Sequence, residues 1–323
     1  MTDWRIFRGT TEPHDEIERL PAPPPWRDFS KLADTRGTTF QAGEHELELV
    51  NAALYLRRPL LVTGPPGTGK SSLAYAVAWE LRLGPVLRWS INSRSTLGEG
   101  LYQYDALARL RDANLEQYER CDTVRAAEPD IGCYLKPGPL GTALLPRARP
   151  RVLLIDEIDK SDIDLPNDLL HVFEEGTFEV AELLRIADKM PEVAVLPDGA
   201  EREEDKVRIR GGRVRCEAFP FVVLTSNGER ELPPPFLRRC LRLDIPVPDL
   251  AKLRHIIAAH LKDVDVSLVQ ELIAGFVEKR DGGRLLATDQ LLNAIFLLAQ
   301  GRIPAGRERQ EIIDILLREL GRV

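Results

Sequence analysis

Gly64-Pro65-Pro66-Gly67-Thr68-Gly69-Lys70-Ser71, followed by Ser72, carries the residue types needed to hold a polyphosphate. Glycines at 64, 67 and 69 reach backbone angles closed to other residues, so successive N–H groups can turn inward around a phosphate. Lys70 reaches the outer phosphates, and the Ser71 hydroxyl is a ligand for Mg²⁺. The apolar run at 60–62 predicts a strand before the loop, and residues 74–78 predict a helix after it. That helix would add its positive N-terminal end to the phosphate site. No N-K-x-D guanine signature is present, so ATP is expected rather than GTP.

Such a loop must be joined by groups that hold the metal and direct a water. Residues 151–157 form an unbroken apolar run ending in Asp156 and Glu157. A strand without alternation is buried on both faces, as in a parallel sheet covered by helices, and acids at its carboxyl end sit where open α/β sheets bind ligands. Asp156, one strand away from the phosphate loop in the expected sheet, is assigned to orient Mg²⁺ through its waters. Glu157 is assigned as the base that polarises the attacking water. Asn227 ends a third apolar run, residues 219–227, and is placed to hydrogen-bond that water or the γ-phosphate.

Further strands are expected at 85–91 and 241–245, and a helix from Pro166 closed by Gly176. Between residues 92 and 150 lies a long mixed insert, with a helix near 104–118 and turn chemistry at 134–141. Pro246-Val247-Pro248 breaks the chain, and helical periodicity runs from 251 to 320. This divides the chain into a Pro-rich extension at 1–37, an α/β nucleotide-binding domain at 38–247 with inserts near 92–150 and 176–218, and a small all-helical domain at 248–323. The extension holds Pro21-Ala22-Pro23-Pro24-Pro25-Trp26. Its apolar and aromatic residues, Trp4, Ile6, Phe7, Trp26 and Phe29, favour a strap anchored by Trp26 over a flexible tail.

With 43% hydrophobic and 29% charged residues, the 323-residue chain has the composition of a soluble protein with an ample core. A net charge of −7 argues against a protein that coats nucleic acid over its whole surface. No apolar run reaches membrane-spanning length and the N-terminus lacks a signal-peptide core, so a cytoplasmic protein is expected. Four scattered cysteines, Cys121, Cys133, Cys216 and Cys240, are expected reduced. His255 and His260, five apart on a helix, make a poor metal pair.

GPPGTGKS at 64–71, LLIDEID at 153–159, VVLTSN at 222–227 and LPPPFLRRC at 232–240 resemble, in order and spacing, the motifs of AAA+ ATPases, and most of all the MoxR family of the dynein-related branch. The resemblance spans about residues 38 to 320. It implies a P-loop αβα sandwich with five parallel strands, a helical lid, and a ring, commonly of six subunits, with nucleotide between neighbours. It also implies an arginine finger reaching into the adjacent subunit, matched best by Arg239 with Arg238 as the alternative. One departure stands out. MoxR-like proteins usually carry an arginine at the start of a lid helix, where this chain has Asp289; Arg284 in the preceding turn is a candidate substitute, and this second sensor is left unassigned.

Residues 206–216, KVRIRGGRVRC, predict a hairpin about a Gly211-Gly212 turn. Alternation puts Arg208, Arg210, Arg213 and Arg215 on one face, and like charges opposite each other call for something negative. Acids at 201–205, a neighbouring subunit or a substrate could each supply it. The expected function is ring-forming, Mg²⁺-dependent ATP hydrolysis that remodels a protein client; the alternative is a nucleic-acid-stimulated motor or loader, and a nucleotide switch is a third reading opposed by Glu157 and the arginine pair.

Overall fold

The computed structural model describes residues 5–9, 11–28, 32–119, 130–261, 269–300 and 307–319. Trp4, Phe29 and Cys121 lie outside them. After short 3-10 turns at Glu16–Arg19 and Pro25–Arg27 come α1 (Leu32–Thr39), α2 (Glu44–Leu56), β1 (Leu60–Thr63), α3 (Lys70–Glu80) and β2 (Leu87–Ser90). The first insert forms α4 (Leu97–Leu101), β3 (Tyr102–Tyr104), α5 (Ala106–Glu119), β4 (Leu135–Pro137) and α6 (Pro139–Leu144). Then follow β5 (Val152–Asp156), α7 (Asp164–Glu175), β6 (Thr177–Glu179), α8 (Ala181–Leu184), β7 (Glu192–Val195), β8 (Val207–Arg210) and β9 (Arg213–Arg215). β10 (Phe221–Ser226), α9 (Pro234–Leu237), β11 (Leu241–Asp244), α10 (Leu250–His260), α11 (Gln270–Asp281), α12 (Thr288–Ala299) and α13 (Arg307–Leu316) complete the order. Helix α1 runs across residue 37, where composition alone put a boundary.

Two compact units result, one of Glu44–Thr63 and Val77–Asp244, the other of Met1–Gly43, Gly64–Ala76 and Ile245–Val323. The first is built on a five-stranded parallel sheet in the order β11-β1-β10-β5-β2. β5 and β10 are buried at every residue, as their unbroken apolar runs require, whereas the edge strand β2 alternates buried and exposed. The register aligns Ser90 with Asp156 and Thr63 with both Ser226 and Asp244, so the strand ends share one carboxyl edge. Helix α2 packs on β1 and β11, and α6 on β2 and β5.

The hairpin expected at 207–216 exists, but it is half of a larger element. β6, β9, β8 and β7 form a four-stranded antiparallel sheet. Gly211 and Gly212 hold φ of 56° and 68°, the left-handed pair that a tight two-residue turn with the strands' twist demands. One face buries Phe178, Val193, Val195, Ile209 and Val214 in the same core as β5 and β10. The four arginines are exposed on the other face, as alternation predicts. The acids that meet them are not those at 201–205. Glu192 pairs with Arg208 and Arg210, and Glu179 with Arg213, whereas Arg202 takes Glu204 and Asp205, and Lys206 takes Glu203. Neutralisation runs across strands, because β7 and β6 lie beside the hairpin, while Arg202 and Lys206 pair with acids of the 201–205 loop.

The helical unit closes around Leu253, Ile257, Ile273, Phe276, Leu291 and Ile295. Asp249 caps α10 by accepting the Lys252 N–H at 2.7 Å. Trp26 packs on this cluster, donates from its indole nitrogen to Asn293 Oδ1 at 3.0 Å, and meets the rings of His260 and Phe296 edge-on. The Pro-rich segment is therefore strapped to the helical unit by Trp26.

Candidate nucleotide site

The phosphate loop follows β1 and runs straight into α3, whose first residue is Lys70. Gly64, Gly67 and Gly69 hold φ of 144°, 75° and 87°. A Cβ on Gly64 would stand 2.4 Å from the Ile245 carbonyl oxygen, and one on Gly67 would meet Ala287 Cβ at 2.7 Å. Glycine is thus required twice over, by backbone angle and by space. Lys70 is buried, and its ammonium donates to the carbonyls of Gly64 and Pro65 at 2.7 and 2.8 Å. Thr68 donates to the Pro65 carbonyl at 2.9 Å, and the Ser72 N–H to that of Gly69. The contact at Gly67 brings the start of α12 against the loop. Asp289 occupies the first turn there, exposed, while Arg284 lies where its charge acts on Asp314.

At the carboxyl edge of the sheet, β10 lies between β1 and β5. Asp156 is buried, with Oδ1 accepting from the Thr225 hydroxyl at 2.7 Å and Oδ2 from Arg88 Nη2 at 2.7 Å. The neighbouring residue, Glu157, has φ of 63° and ψ of 49°, a left-handed conformation that is uncommon for a residue with a Cβ. Its N–H donates to the Thr225 hydroxyl oxygen at 2.9 Å, which holds that conformation. The turn aims its carboxylate away from the strand, where it meets Lys160 at 3.0 Å and raises the pKa of that ammonium above the ordinary lysine range.

Asp159 is a further buried carboxylate, 3% exposed. Its Oδ2 accepts the backbone N–H groups of Asn227 and Glu229, both at 3.0 Å, while Oδ1 has no hydrogen-bond partner among the described residues. The segment that presents Asn227 is thereby tied to the end of β5. Asp156, Glu157 and Asn227 accordingly lie at the carboxyl edge of the sheet. The residues that sequence reasoning missed are those binding them together, Arg88, Thr225 and Asp159. Only the last two stand inside recognisable motifs.

Arg238 and Arg239 belong to another set of contacts. Arg239 forms an ion pair with Glu174 of α7 and donates to the Pro235 carbonyl at 3.2 Å. Arg58 donates to the backbone carbonyls of Arg238 and Arg239, fixing the turn that carries both. Both side chains are exposed.

The described cysteines, Cys133, Cys216 and Cys240, are free thiols; burial pushes Cys240 up to about 12. Among the described residues no cluster of His, Cys, Asp or Glu forms a metal centre, and no helix is long and apolar enough to cross a membrane.

A glycine-rich loop with a buried lysine directly after β1 in the chain, and a five-stranded parallel sheet whose central strands end in acidic and polar residues, are the parts of a P-loop ATPase. The chain belongs to the ATPase family associated with various cellular activities (AAA), whose model matches residues 60–248. It is an ATP-binding, ATP-hydrolysing domain. No curated protein matches the chain. Among solved structures it is similar to domain III of the Thermotoga maritima replication initiation protein DnaA, at 15% identity and a TM-score of 0.43, over 88% of this chain and 95% of that one.

Proposed function

We propose that the chain is a Mg²⁺-dependent ATPase of the MoxR type that works as a ring and remodels a protein client. The observation that carries the catalytic part is the single Thr225 hydroxyl tying Asp156 to the left-handed Glu157. Strain of this kind persists only where its surroundings enforce it, and here the enforcing group also holds the neighbouring carboxylate.

The residues fit nucleotide and metal. Three glycines at positive φ and Lys70 suit a polyphosphate, and the Ser71 hydroxyl and Asp156 carboxylate are the hard oxygen donors that Mg²⁺ takes. Bound Mg²⁺ATP would supply the phosphoanhydride and neutralise charge on its oxygens. In this reading the N–H groups of residues 64–72 bind and orient the phosphates, with Lys70 exchanging its loop carbonyls for phosphate oxygens. Ser71 and Asp156 would hold the metal. Glu157 accepts the proton of the attacking water, and Asn227 orients that water or the γ-phosphate. A neighbouring subunit's Arg239, or Arg238, stabilises the charge that develops in transfer. For Arg239 that role requires leaving Glu174, whereas the Arg238 side chain has no ion pair among the described residues.

The lid, the strap held by Trp26 and the arginine-faced sheet are the parts open to variation between clients. A nucleic-acid motor is the second reading, favoured by four exposed arginines on one face. Measuring turnover against protein concentration tests the ring. A rate that rises faster than linearly, requires Mg²⁺ and is lost in Arg238→Ala/Arg239→Ala is the expected result, and a proportional rate from a monomer under ATP would refute it.

A further inference from the structure

Arg88 was not singled out by any motif, yet it touches the carboxylate on which the metal role rests. It stands on β2 two residues before Ser90, which the register sets beside Asp156. Arg88 and Ser90 share one face of the strand, so the guanidinium extends along the sheet toward its carboxyl edge. There Nη2 lies 2.7 Å from Asp156 Oδ2. The two partners differ in environment. The Asp156 side chain is 8% exposed and that of Arg88 is 46% exposed.

This asymmetry has a physical consequence. A buried carboxylate is favoured by a cation beside it, because desolvation of the charge is costly, and Arg88 is one such cation. Arg88 brings that positive charge to within 2.7 Å of Asp156 Oδ2. Because it is nearly half in water, it can turn out into solvent at little cost. A second cation approaching the same carboxylate is repelled by the first. We propose that Arg88 is a positioning residue that competes with the divalent metal for Asp156, holding the carboxylate oriented in the metal-free chain and yielding it when metal arrives. The inference rests on the nucleotide-site reading above. It gives Arg88 a defined effect, that of lowering the site's affinity for metal.

The test uses the full chain with Mn²⁺ as the probe, following free Mn²⁺ by electron paramagnetic resonance with and without saturating ADP, and ADP binding by calorimetry. Arg88→Gln and Arg88→Met each remove the charge and should hold Mn²⁺ about five-fold tighter than wild type, the size expected for one partly exposed ion pair. Arg88→Lys keeps the charge and should stay within about two-fold of wild type. Raising salt should narrow the gap between neutral variants and wild type, since screening acts on the exposed guanidinium. Mn²⁺ binding unchanged or weaker in both neutral variants, with ADP binding intact in wild type, overturns this inference alone. A wild type that binds no ADP overturns the nucleotide-site reading and this inference with it.

Discussion

The hydroxyl of Thr225 donates to Asp156 Oδ1 at 2.7 Å, from the strand lying between Asp156 and the strand that leads into the phosphate loop. The same oxygen accepts the Glu157 N–H at 2.9 Å. One side chain therefore fixes the orientation of the proposed metal carboxylate and the backbone angle of the proposed base. Thr225→Val keeps the shape and removes both bonds, leaving the part-buried Glu157 N–H without its acceptor and the buried Asp156 carboxylate without one donor. A loss of about 1–3 kcal/mol in stability is expected, together with a fall in ATP turnover that Thr225→Ser restores. Urea midpoints and steady-state turnover measured side by side check this; a Val variant equal to wild type in both would show that the bridge is idle.

Binding and turnover should separate at two positions of the motif set. Lys70→Ala removes a buried ammonium and a charge-assisted phosphate contact, so nucleotide affinity should fall by tenfold or more, about 1.5–3 kcal/mol. Glu157→Gln keeps size and hydrogen bonding but cannot take a proton, so binding should persist while hydrolysis is abolished. Calorimetry with ATP and phosphate release distinguish the two, and normal hydrolysis in the Gln variant would remove Glu157 from its role.

Stability of the helical unit should weaken in mild acid. Burial lowers the His260 pKa below its ordinary value near 6.5, and Nδ1 is buried with no hydrogen-bond partner among the described residues. The unfolded chain thus takes up a proton below about pH 6.5 that the folded chain refuses. Stability is fully present above that pH and is lost as pH falls toward the folded value, with a slope of at most about 1.4 kcal/mol per pH unit. Melting curves from pH 8 to 5.5 should show the decline in wild type and less of it in His260→Gln; identical curves would mean another group governs the transition.

The arginine face discriminates between client classes. Glu192 and Glu179 already pair with Arg208, Arg210 and Arg213, so the face is only partly available to phosphates. We expect DNA and RNA to leave ATP turnover unchanged at low salt. Changing Arg208, Arg210, Arg213 and Arg215 together to Gln should instead reduce oligomerisation or partner capture, read by light scattering and affinity pull-down. Nucleic-acid stimulation that falls steeply with salt and vanishes in the quadruple variant would favour the motor reading.

What the chain discloses by itself is whatever is encoded in contiguous residues. The phosphate loop is legible because glycine alone permits its backbone angles, and β5 and β10 because burial on both faces demands unbroken apolar runs. The Gly211-Gly212 turn and the helical periodicity after residue 250 are local in the same sense. Tertiary structure decided the partners. Arg88, Thr225 and Asp159 find Asp156, Glu157 and Asn227 across 68 or 69 residues of sequence, through a register between parallel strands that no local spacing expresses. The acids that meet the hairpin arginines likewise come from β7 and β6, 16 and 34 residues away, rather than from the acidic stretch beside the turn. A parallel sheet joins strands distant in sequence through long crossovers, so the chemistry at its edge is assembled by topology.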